Sequence, residues 1–285
     1  MSTVQEQEQR FHVNGYQLAA KEWHAGAAIK VIALHGWLDN ANSFDELAAR
    51  LPQCHIIALD SPGHGYSDHK QAQATYNIWD DLLDILAVAD ALGWQQFHVM
   101  GHSRGGIMSV LLAAAMPERV QSLLLLDGVF PPKFDLQKSP QLLADFLKGY
   151  RKPDKKMPSY NTIDEAVQAR LKAADMSEAA AQKIVERGVK KVAGLYTWVA
   201  DPRLRMASAI KLSHEHVDAM MKAISMPALV LLAERGFVVR EGGVERLQQY
   251  PQFVCELLVG GHHFHMEQQA ADIAQRAQQF YSALV

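Results

Sequence analysis

The sequence lacks several features that would assign a protein to a class at once, beginning with cysteine. Only two cysteines occur in 285 residues, Cys54 and Cys255. Both lie in apolar, strand-like runs, where a buried free thiol is more common than a disulfide. Positive charge is not in excess either, since 28 basic residues stand against 31 acidic ones and the net charge is −3. Without a basic field over the whole chain, we expect no nucleic-acid partner.

Long hydrophobic runs are also missing. No stretch of about 18 consecutive apolar residues occurs, so no membrane span is expected. The chain begins with polar and acidic residues, whereas a secretory signal has a basic segment followed by an apolar one. With 49% hydrophobic and 21% charged residues, the composition is that of an ordinary globular protein. A cytoplasmic location is the default expectation.

Strand-like and helix-like patterns alternate over the first 127 residues. Asn14-Gly15 between two alternating runs predicts a β-hairpin at residues 9–24. Apolar runs of strand length follow, typical of parallel strands covered on both faces. These runs lie at residues 29–34, 55–60, 96–101 and 122–127. The order predicts an α/β fold with a doubly wound parallel sheet and a short antiparallel start, in which ligands bind at the carboxyl ends of the strands.

Residues 128–225 break this pattern, because they contain several helical segments and no strand-like run. Helix starts are indicated at Ser139, Thr162 and Ser177 by capping residues and by the proline after Ser139. The segment at 195–204 is interpreted as part of the same helical block. A basic, proline-bearing stretch at 151–158 is interpreted as a solvated loop.

The sheet pattern then resumes with apolar runs at 227–233 and 253–259, separated by a helix expected around residues 241–250. We therefore interpret residues 1–127 and 226–285 as one sheet domain. Residues 128–225 are interpreted as a helical cap, or lid, inserted into it.

The motif Gly101-His102-Ser103-Arg104-Gly105 lies between the strand-like run at 96–101 and an apolar helix. A serine on so tight a strand-to-helix turn has its hydroxyl exposed, and the backbone N–H groups of its neighbours point the same way. Glycines on both sides let the helix and strand approach closely. Ser103 is therefore the candidate nucleophile.

A serine hydroxyl needs a base within hydrogen-bond reach, and the base needs a partner that fixes its tautomer. His262 follows Gly261 directly after the last strand and is the candidate base, with His263 and His265 as rivals. Three clustered histidines can also bind a metal, but no carboxylate–histidine or CxxC spacing accompanies them. We therefore expect no metal.

The third partner is an acid that lies between Ser103 and His262 in chain order. The usual position, judged by its offset from the strand at 227–233, is occupied by Gly236. Asp127, which ends the strand before the cap, is the preferred candidate, although a strand-end aspartate can also simply bind nearby loop N–H groups. Glu234 is the alternative acid.

Two backbone N–H groups should form the oxyanion hole, where negative charge develops on the reacting carbonyl. One belongs to Arg104, directly after Ser103, and the other to Trp37, on the loop after the strand at 29–34. The side chain of Arg104 either meets an anionic substrate group or forms a salt bridge at the rim. The candidate pocket residues are Trp37 itself, His102, Tyr196 and Trp198.

Four segments resemble the α/β-hydrolase superfamily, and the match covers nearly the whole chain. They are His35-Gly36, Asp60 to Ser67, Gly101 to Gly106, and Gly261-His262 followed by His265 and Glu267. The stretch from His35 to Asp45 is most similar to the serine hydrolase-like proteins, as are Arg187-Gly188 and Asp201 to Leu204 in the cap.

This resemblance implies an eight-stranded, mostly parallel sheet flanked by helices, with an inserted cap. It carries the nucleophile onto Ser103 and the base onto His262. In some relatives the acid follows the strand before the cap, which matches Asp127.

Together these observations predict a cofactor-free serine hydrolase of the carboxylesterase type, a monomer or homodimer. Its substrates would be water and a small or medium acyl ester or thioester. The same residues could also hydrolyse a carbon–carbon bond in a vinylogous diketone. A non-catalytic ligand-binding protein on the same fold is the alternative from another class, and its only support is the missing aspartate at Gly236.

Overall fold

The computed structural model describes residues 6–151 and 157–284. Residues 152–156, which make up most of the basic link expected at 151–158, lie outside the described residues, as do the first five residues. The strands are β1 (Glu6–Val13), β2 (Tyr16–Trp23), β3 (Ile29–Leu34), β4 (Cys54–Leu59), β5 (Phe97–His102), β6 (Val120–Leu126), β7 (Ser159–Tyr160), β8 (Val189–Val192), β9 (Leu195–Trp198), β10 (Ala228–Ala233) and β11 (Phe253–Leu258). The α-helices are α1 (Asp45–Ala48), α2 (Ile78–Ala91), α3 (Arg104–Ala115), α4 (Ser139–Tyr150), α5 (Ile163–Ala173), α6 (Glu178–Gly188), α7 (His214–Ala223), α8 (Phe237–Arg240), α9 (Gly243–Leu247) and α10 (Ala270–Ser282).

Eight strands form one sheet in the order β1-β2-β4-β3-β5-β6-β10-β11. β1 and β2 form an antiparallel hairpin whose turn residues, Asn14 and Gly15, both have positive φ, as the Asn-Gly signal predicts. β2 also pairs antiparallel with β4. All other neighbours in this sheet are parallel. The predicted fold, a mostly parallel sheet with an antiparallel start, is confirmed.

Alternate residues of the central strands enter two hydrophobic cores, one on each face of the sheet. In β3, Ile32 packs into one core and Val31 into the other. Helices α2 and α3 cover the first face with residues such as Val88 and Met108, and α10 covers the second with Ile273. Because both faces are buried, the strands read as continuous apolar runs rather than as an alternation.

The parallel register places the chemically important turns at one edge of the sheet. Leu34 at the end of β3 lies beside Gly101 in β5, and His102 at the end of β5 lies beside Leu126 in β6. The segments that follow β3, β5 and β6 therefore leave the sheet next to one another. This edge is where ligands bind in folds of this kind.

Residues 128–225 are not purely helical, so this part of the expectation is wrong. Besides α4 to α7, they contain an antiparallel sheet in the order β7-β9-β8. Ala193 and Gly194, with φ of 48° and 87°, form the tight turn between β8 and β9. Two positive φ values in a two-residue turn are typical of a hairpin. The strands are too short, and β8 too rich in lysine, to produce an apolar alternation in the sequence.

Two smaller expectations are also corrected. Cys54 is buried, but Cys255 is exposed, because β11 is an edge strand of the large sheet. The helix expected around residues 241–250 is replaced by the shorter α8 and α9, since Gly242 adopts a left-handed φ of 70° between them.

Within the described ranges, no helix is both long and apolar enough to cross a bilayer.

Candidate active site

Ser103 occupies the turn between β5 and α3 in an unusual backbone conformation, with φ 52° and ψ −115°. Non-glycine residues adopt such angles only where the surrounding structure enforces them. Here close backbone packing does so. A Cβ on Gly105 would lie 1.9 Å from the carbonyl oxygen of Leu34, and a Cβ on Gly128 would lie 2.2 Å from that of Ser103. Glycine at both positions therefore lets the neighbouring strands hold the serine turn in place.

His262 lies between Ser103 and Asp127 and contacts both. Its Nε2 atom is 2.9 Å from Ser103 Oγ, and its Nδ1 atom is 2.5 Å from Asp127 Oδ2. Asp127 is completely buried, whereas the His262 side chain is 20% exposed. The structure thus brings together, in one hydrogen-bonded chain, the residues that the sequence indicates as nucleophile, base and acid.

The other candidates for base and acid do not take these positions. His263 and His265 are buried, and it is His262 that hydrogen-bonds to Ser103. The alternative acid, Glu234, has an exposed side chain, while His262 Nδ1 bonds to Asp127. Asp127 Oδ2 also accepts a hydrogen bond of 2.8 Å from the backbone N–H of Phe237, at the start of α8. The loop after β10 therefore contacts Asp127 through a backbone N–H, and the carboxylate that bonds to His262 comes from the end of β6.

The two backbone N–H groups expected in the oxyanion hole lie on adjoining segments. Arg104 is the first residue of α3, so its N–H has no acceptor within the helix. Trp37 follows β3, the strand paired with β5. Its indole is half exposed, and the indole N–H donates to the carbonyl of Leu204 at 3.2 Å.

His102 is not a pocket residue, contrary to expectation. It is fully buried behind the serine turn, because it ends β5 with its side chain directed into the protein. Its Nε2 donates to the backbone carbonyl of His262 at 2.9 Å. Burial lowers the pKa of His102 to about 4, so the ring is neutral at pH 7. His102 therefore supports the loop that carries His262.

A buried aspartate that no motif indicated, Asp39, lies beneath the same loop. Its Oδ1 accepts a hydrogen bond from Arg170 of α5, and its Oδ2 lies 3.5 Å from both His102 Nδ1 and His263 Nε2. Burial alone would raise the pKa of Asp39, but His263 and Arg170 hold it well below its usual value. One carboxylate thus joins the loop after β3, the serine turn, the His262 loop and α5. The sequence feature that could have indicated Asp39 is its position on the loop after β3, at the edge of the sheet where the strands end.

Asp39, His102 and His263 are also a group of metal-ligand type, with ligand atoms within 4.8 Å of one another. Such donors suit Zn²⁺. However, the guanidinium of Arg170 already neutralises the charge of Asp39. A divalent ion would have to be buried next to that cation, so we assign no metal to this group.

A cavity of about 610 Å³ adjoins the serine turn. Trp37, Arg104 and Ile107 line it from the sheet domain, and residues such as Phe146 and Leu204 line it from the 128–225 segment. Arg104 also forms an ion pair of 2.7 Å with Asp81. Both roles that the sequence leaves open for this side chain are thus compatible with its position.

Tyr196 and Trp198, expected as pocket residues, do not line this cavity. Both lie on β9 in the three-stranded sheet. Trp198 packs against α5 and α6, and its indole N–H lies 3.3 Å from the Tyr160 hydroxyl. Lys191 of β8 lies over the ring of Tyr196. At positions i and i+2 of a strand, both side chains lie on one face of that small sheet, whereas a helix had been expected there.

An α/β hydrolase is defined by this sheet order together with the serine turn after β5 and the histidine loop after β11. The chain belongs to the alpha/beta hydrolase fold family, whose model matches residues 30–269. Among its relatives is a serine hydrolase-like protein of Dictyostelium discoideum, 31% identical over 280 residues, which covers 90% of this chain and 76% of the relative. A pimeloyl-[acyl-carrier protein] methyl ester esterase of Neisseria meningitidis is 38% identical over 103 residues, or 35% of this chain and 36% of that protein. The crystal structure of a hypothetical protein of Pseudomonas aeruginosa PAO1 superposes with a TM-score of 0.90 at 39% identity, covering 97% of this chain and 98% of that one.

Proposed function

We propose that this protein is a serine hydrolase that cleaves small or medium acyl esters or thioesters through an acyl-enzyme. The observation that carries the proposal is the continuous hydrogen-bonded chain from Ser103 Oγ through His262 to Asp127. A nucleophile, a base within reach of its proton and a group that orients the base are the three parts that acyl transfer from serine requires.

In the first half-reaction, Ser103 Oγ attacks the carbonyl carbon of the substrate while His262 Nε2 takes the hydroxyl proton. The Asp127 carboxylate accepts the Nδ1–H of His262, fixes its tautomer and stabilises the imidazolium that forms. The N–H groups of Arg104 and Trp37 donate to the carbonyl oxygen as it becomes negative. Collapse of the tetrahedral intermediate, with proton transfer from His262 to the leaving group, gives an alcohol or thiol and the acyl-enzyme.

In the second half-reaction, His262 takes a proton from water, which attacks the acyl carbon of the ester on Ser103. The same two N–H groups hold the second oxyanion. When the intermediate collapses, His262 returns the proton to Ser103 Oγ and the free acid leaves.

We infer the substrate class from the cavity that Arg104, the residue after Ser103, helps to line. Its walls are mainly apolar and aromatic, for example Ile107, Phe146 and Trp37, which suits an acyl or aryl group more than a sugar or a polyanion. We propose that residues 128–225 act as the cap over this cavity. The relative from Neisseria meningitidis is named as a methyl ester esterase, which favours an ester or thioester over a carbon–carbon bond.

A fluorophosphonate probe tests the proposal directly, because it phosphonylates only an activated serine. We expect one adduct on Ser103, located by peptide mass spectrometry, and turnover of p-nitrophenyl butyrate. Ser103→Ala should show neither, while its unfolding curve in urea stays that of the wild type. A folded wild-type protein without an adduct on Ser103 would overturn the enzyme proposal in favour of a non-catalytic binding protein.

A further inference from the structure

The charged side chains in the cavity lining are of one sign. Among the described residues that line it, three carry positive charge, namely Arg104, Arg203 and Lys211, and none is an aspartate or glutamate. This contrasts with the whole chain, which has a net charge of −3. The cavity therefore combines apolar walls with a positive local field, although the protein as a whole is slightly acidic.

The two arginines are anchored from behind by buried carboxylates that do not line the cavity. Arg104 donates to Asp81 at 2.7 Å. Arg203 donates to Asp201 at 2.7 Å and also to backbone carbonyls between residues 70 and 74. Both partners, Asp81 and Asp201, are buried. These contacts fix the positions of the guanidinium groups and neutralise most of their charge.

Lys211 differs from both arginines. Its ammonium lies 5.3 Å from the centre of the Phe134 ring, and no carboxylate of the described residues lies within ion-pair distance of it. Its side chain is exposed at the cavity wall. Among the described residues, Lys211 thus supplies the positive charge at this site that no carboxylate compensates.

We infer that the preferred substrate has an apolar acyl or aryl body and one negatively charged group, which Lys211 recognises. This inference rests on the proposed function, in which the same cavity holds the substrate of Ser103. An anionic group compensates the charge of Lys211, whereas a neutral group of the same shape leaves it uncompensated. Selectivity then arises from one contact at the wall, while the apolar body fills the rest of the cavity.

The test compares two ligands of the same shape, phenylbutyrate and its neutral amide, by isothermal titration calorimetry at low salt. We expect the carboxylate to bind about fivefold more tightly, as one partly exposed charge pair allows. The preference should shrink as salt is added, because the contact is solvent-accessible. Equal affinities, tighter binding of the amide, or no binding of either ligand would each overturn the inference.

Two variants of Lys211 and one control variant locate the effect. Lys211→Met should reduce the ratio of the two affinities to about one, and Lys211→Glu should reverse the preference. Lys172→Met removes the same charge from an exposed position on α5 that does not line the cavity, and it should keep the wild-type ratio. If Lys172→Met abolishes the preference as fully as Lys211→Met, the overall charge and not this contact is responsible, and the inference is wrong.

Binding of these ligands requires no turnover. A wild-type protein that is labelled at Ser103 but prefers the amide would keep the proposed function and refute this inference. A protein that prefers the carboxylate but takes no label would support the charged ligand and refute the hydrolase.

Discussion

The backbone at Gly236 is closely covered by the carboxylate of Asp127. A Cβ at position 236 would lie 2.3 Å from both carboxylate oxygens of Asp127. The φ and ψ of Gly236, −76° and 173°, are open to any residue, so it is this carboxylate that excludes a side chain. Glycine at 236 and aspartate at 127 therefore depend on each other. The space that a side chain at position 236 would occupy is filled by the carboxylate of Asp127, which follows the neighbouring strand β6.

This relationship predicts that Gly236→Ala displaces Asp127 from His262. A shift of about 1 Å in a catalytic group can reduce turnover about 100-fold, and we expect a loss of that size with p-nitrophenyl butyrate.

A double variant that exchanges the two residues, Asp127→Gly with Gly236→Asp, tests the same relationship in the opposite direction. Glycine suits position 127, where φ is 42°, and aspartate suits the extended backbone at 236. We expect the double variant to be at least about tenfold more active than Asp127→Gly alone, and equal activity would show that the carboxylates do not share one space.

Removing only the charge of the acid tests its role. Asp127→Asn should lower kcat by about 10³-fold or more, because an amide at this position stabilises the wrong tautomer of His262 and cannot balance the imidazolium. Glu234→Gln, at the exposed alternative, should change kcat by less than about twofold. A steady-state assay of both variants is sufficient, and the reverse ranking would transfer the role to Glu234.

The ion pair between Asp39 and Arg170 predicts a stability cost. Arg170→Met leaves the Asp39 carboxylate buried without its cation, and breaking such a pair costs about 3–5 kcal/mol in the free energy of unfolding. Lys222→Met breaks an exposed pair with Asp218, four residues away on α7, and should cost less than about 0.5 kcal/mol. Urea unfolding of the two variants measures both. Similar small costs would mean that Asp39 is solvated in solution.

Buried His98 predicts a dependence of stability on pH. Burial lowers the pKa of His98 to about 4 from an ordinary value of 6.5. Between these values the unfolded chain binds a proton that the folded chain does not, so the free energy of unfolding decreases as the pH falls from 6.5 to about 4. A shift of this size corresponds to about 3 kcal/mol over the window.

His98→Gln removes this contribution, so its stability should decrease less over the same pH range in urea titrations. His214→Gln, at an exposed position on α7, serves as the control and should follow the wild type. An unchanged pH dependence in His98→Gln would show that His98 does not contribute to it.

The fold and the chain of Ser103, His262 and Asp127 lie within reach of the sequence because their signals are local. β3 begins and ends at the predicted residues, 29 and 34, since an apolar run between polar segments needs no knowledge of its partners. The serine turn is likewise contained in five consecutive residues.

The parts that the sequence did not indicate depend on contacts between distant residues. Asp39 and Arg170 are 131 positions apart, and neither carries a local pattern that names the other. Tyr196 and Trp198 were expected at the pocket on a segment interpreted as helical, but the two-residue turn at Ala193 and Gly194 forms a hairpin and places them in the small sheet. The reason for glycine at 236 is visible only once Asp127 is seen against it.

The two cysteines differ in solvent exposure, so their rates of reaction with a thiol reagent can report local unfolding of the core. Cys255 on the edge strand is exposed, so a thiol reagent reaches it in the folded state. Cys54 is fully buried in the core, and burial raises the pKa of its thiol to about 12. The first equivalent of reagent therefore modifies Cys255 and measures the protein concentration. The rate at which the second equivalent modifies Cys54 reports how often β4 becomes exposed to solvent. A ligand that binds only the folded state would be detected as a slower second reaction, without any need for turnover.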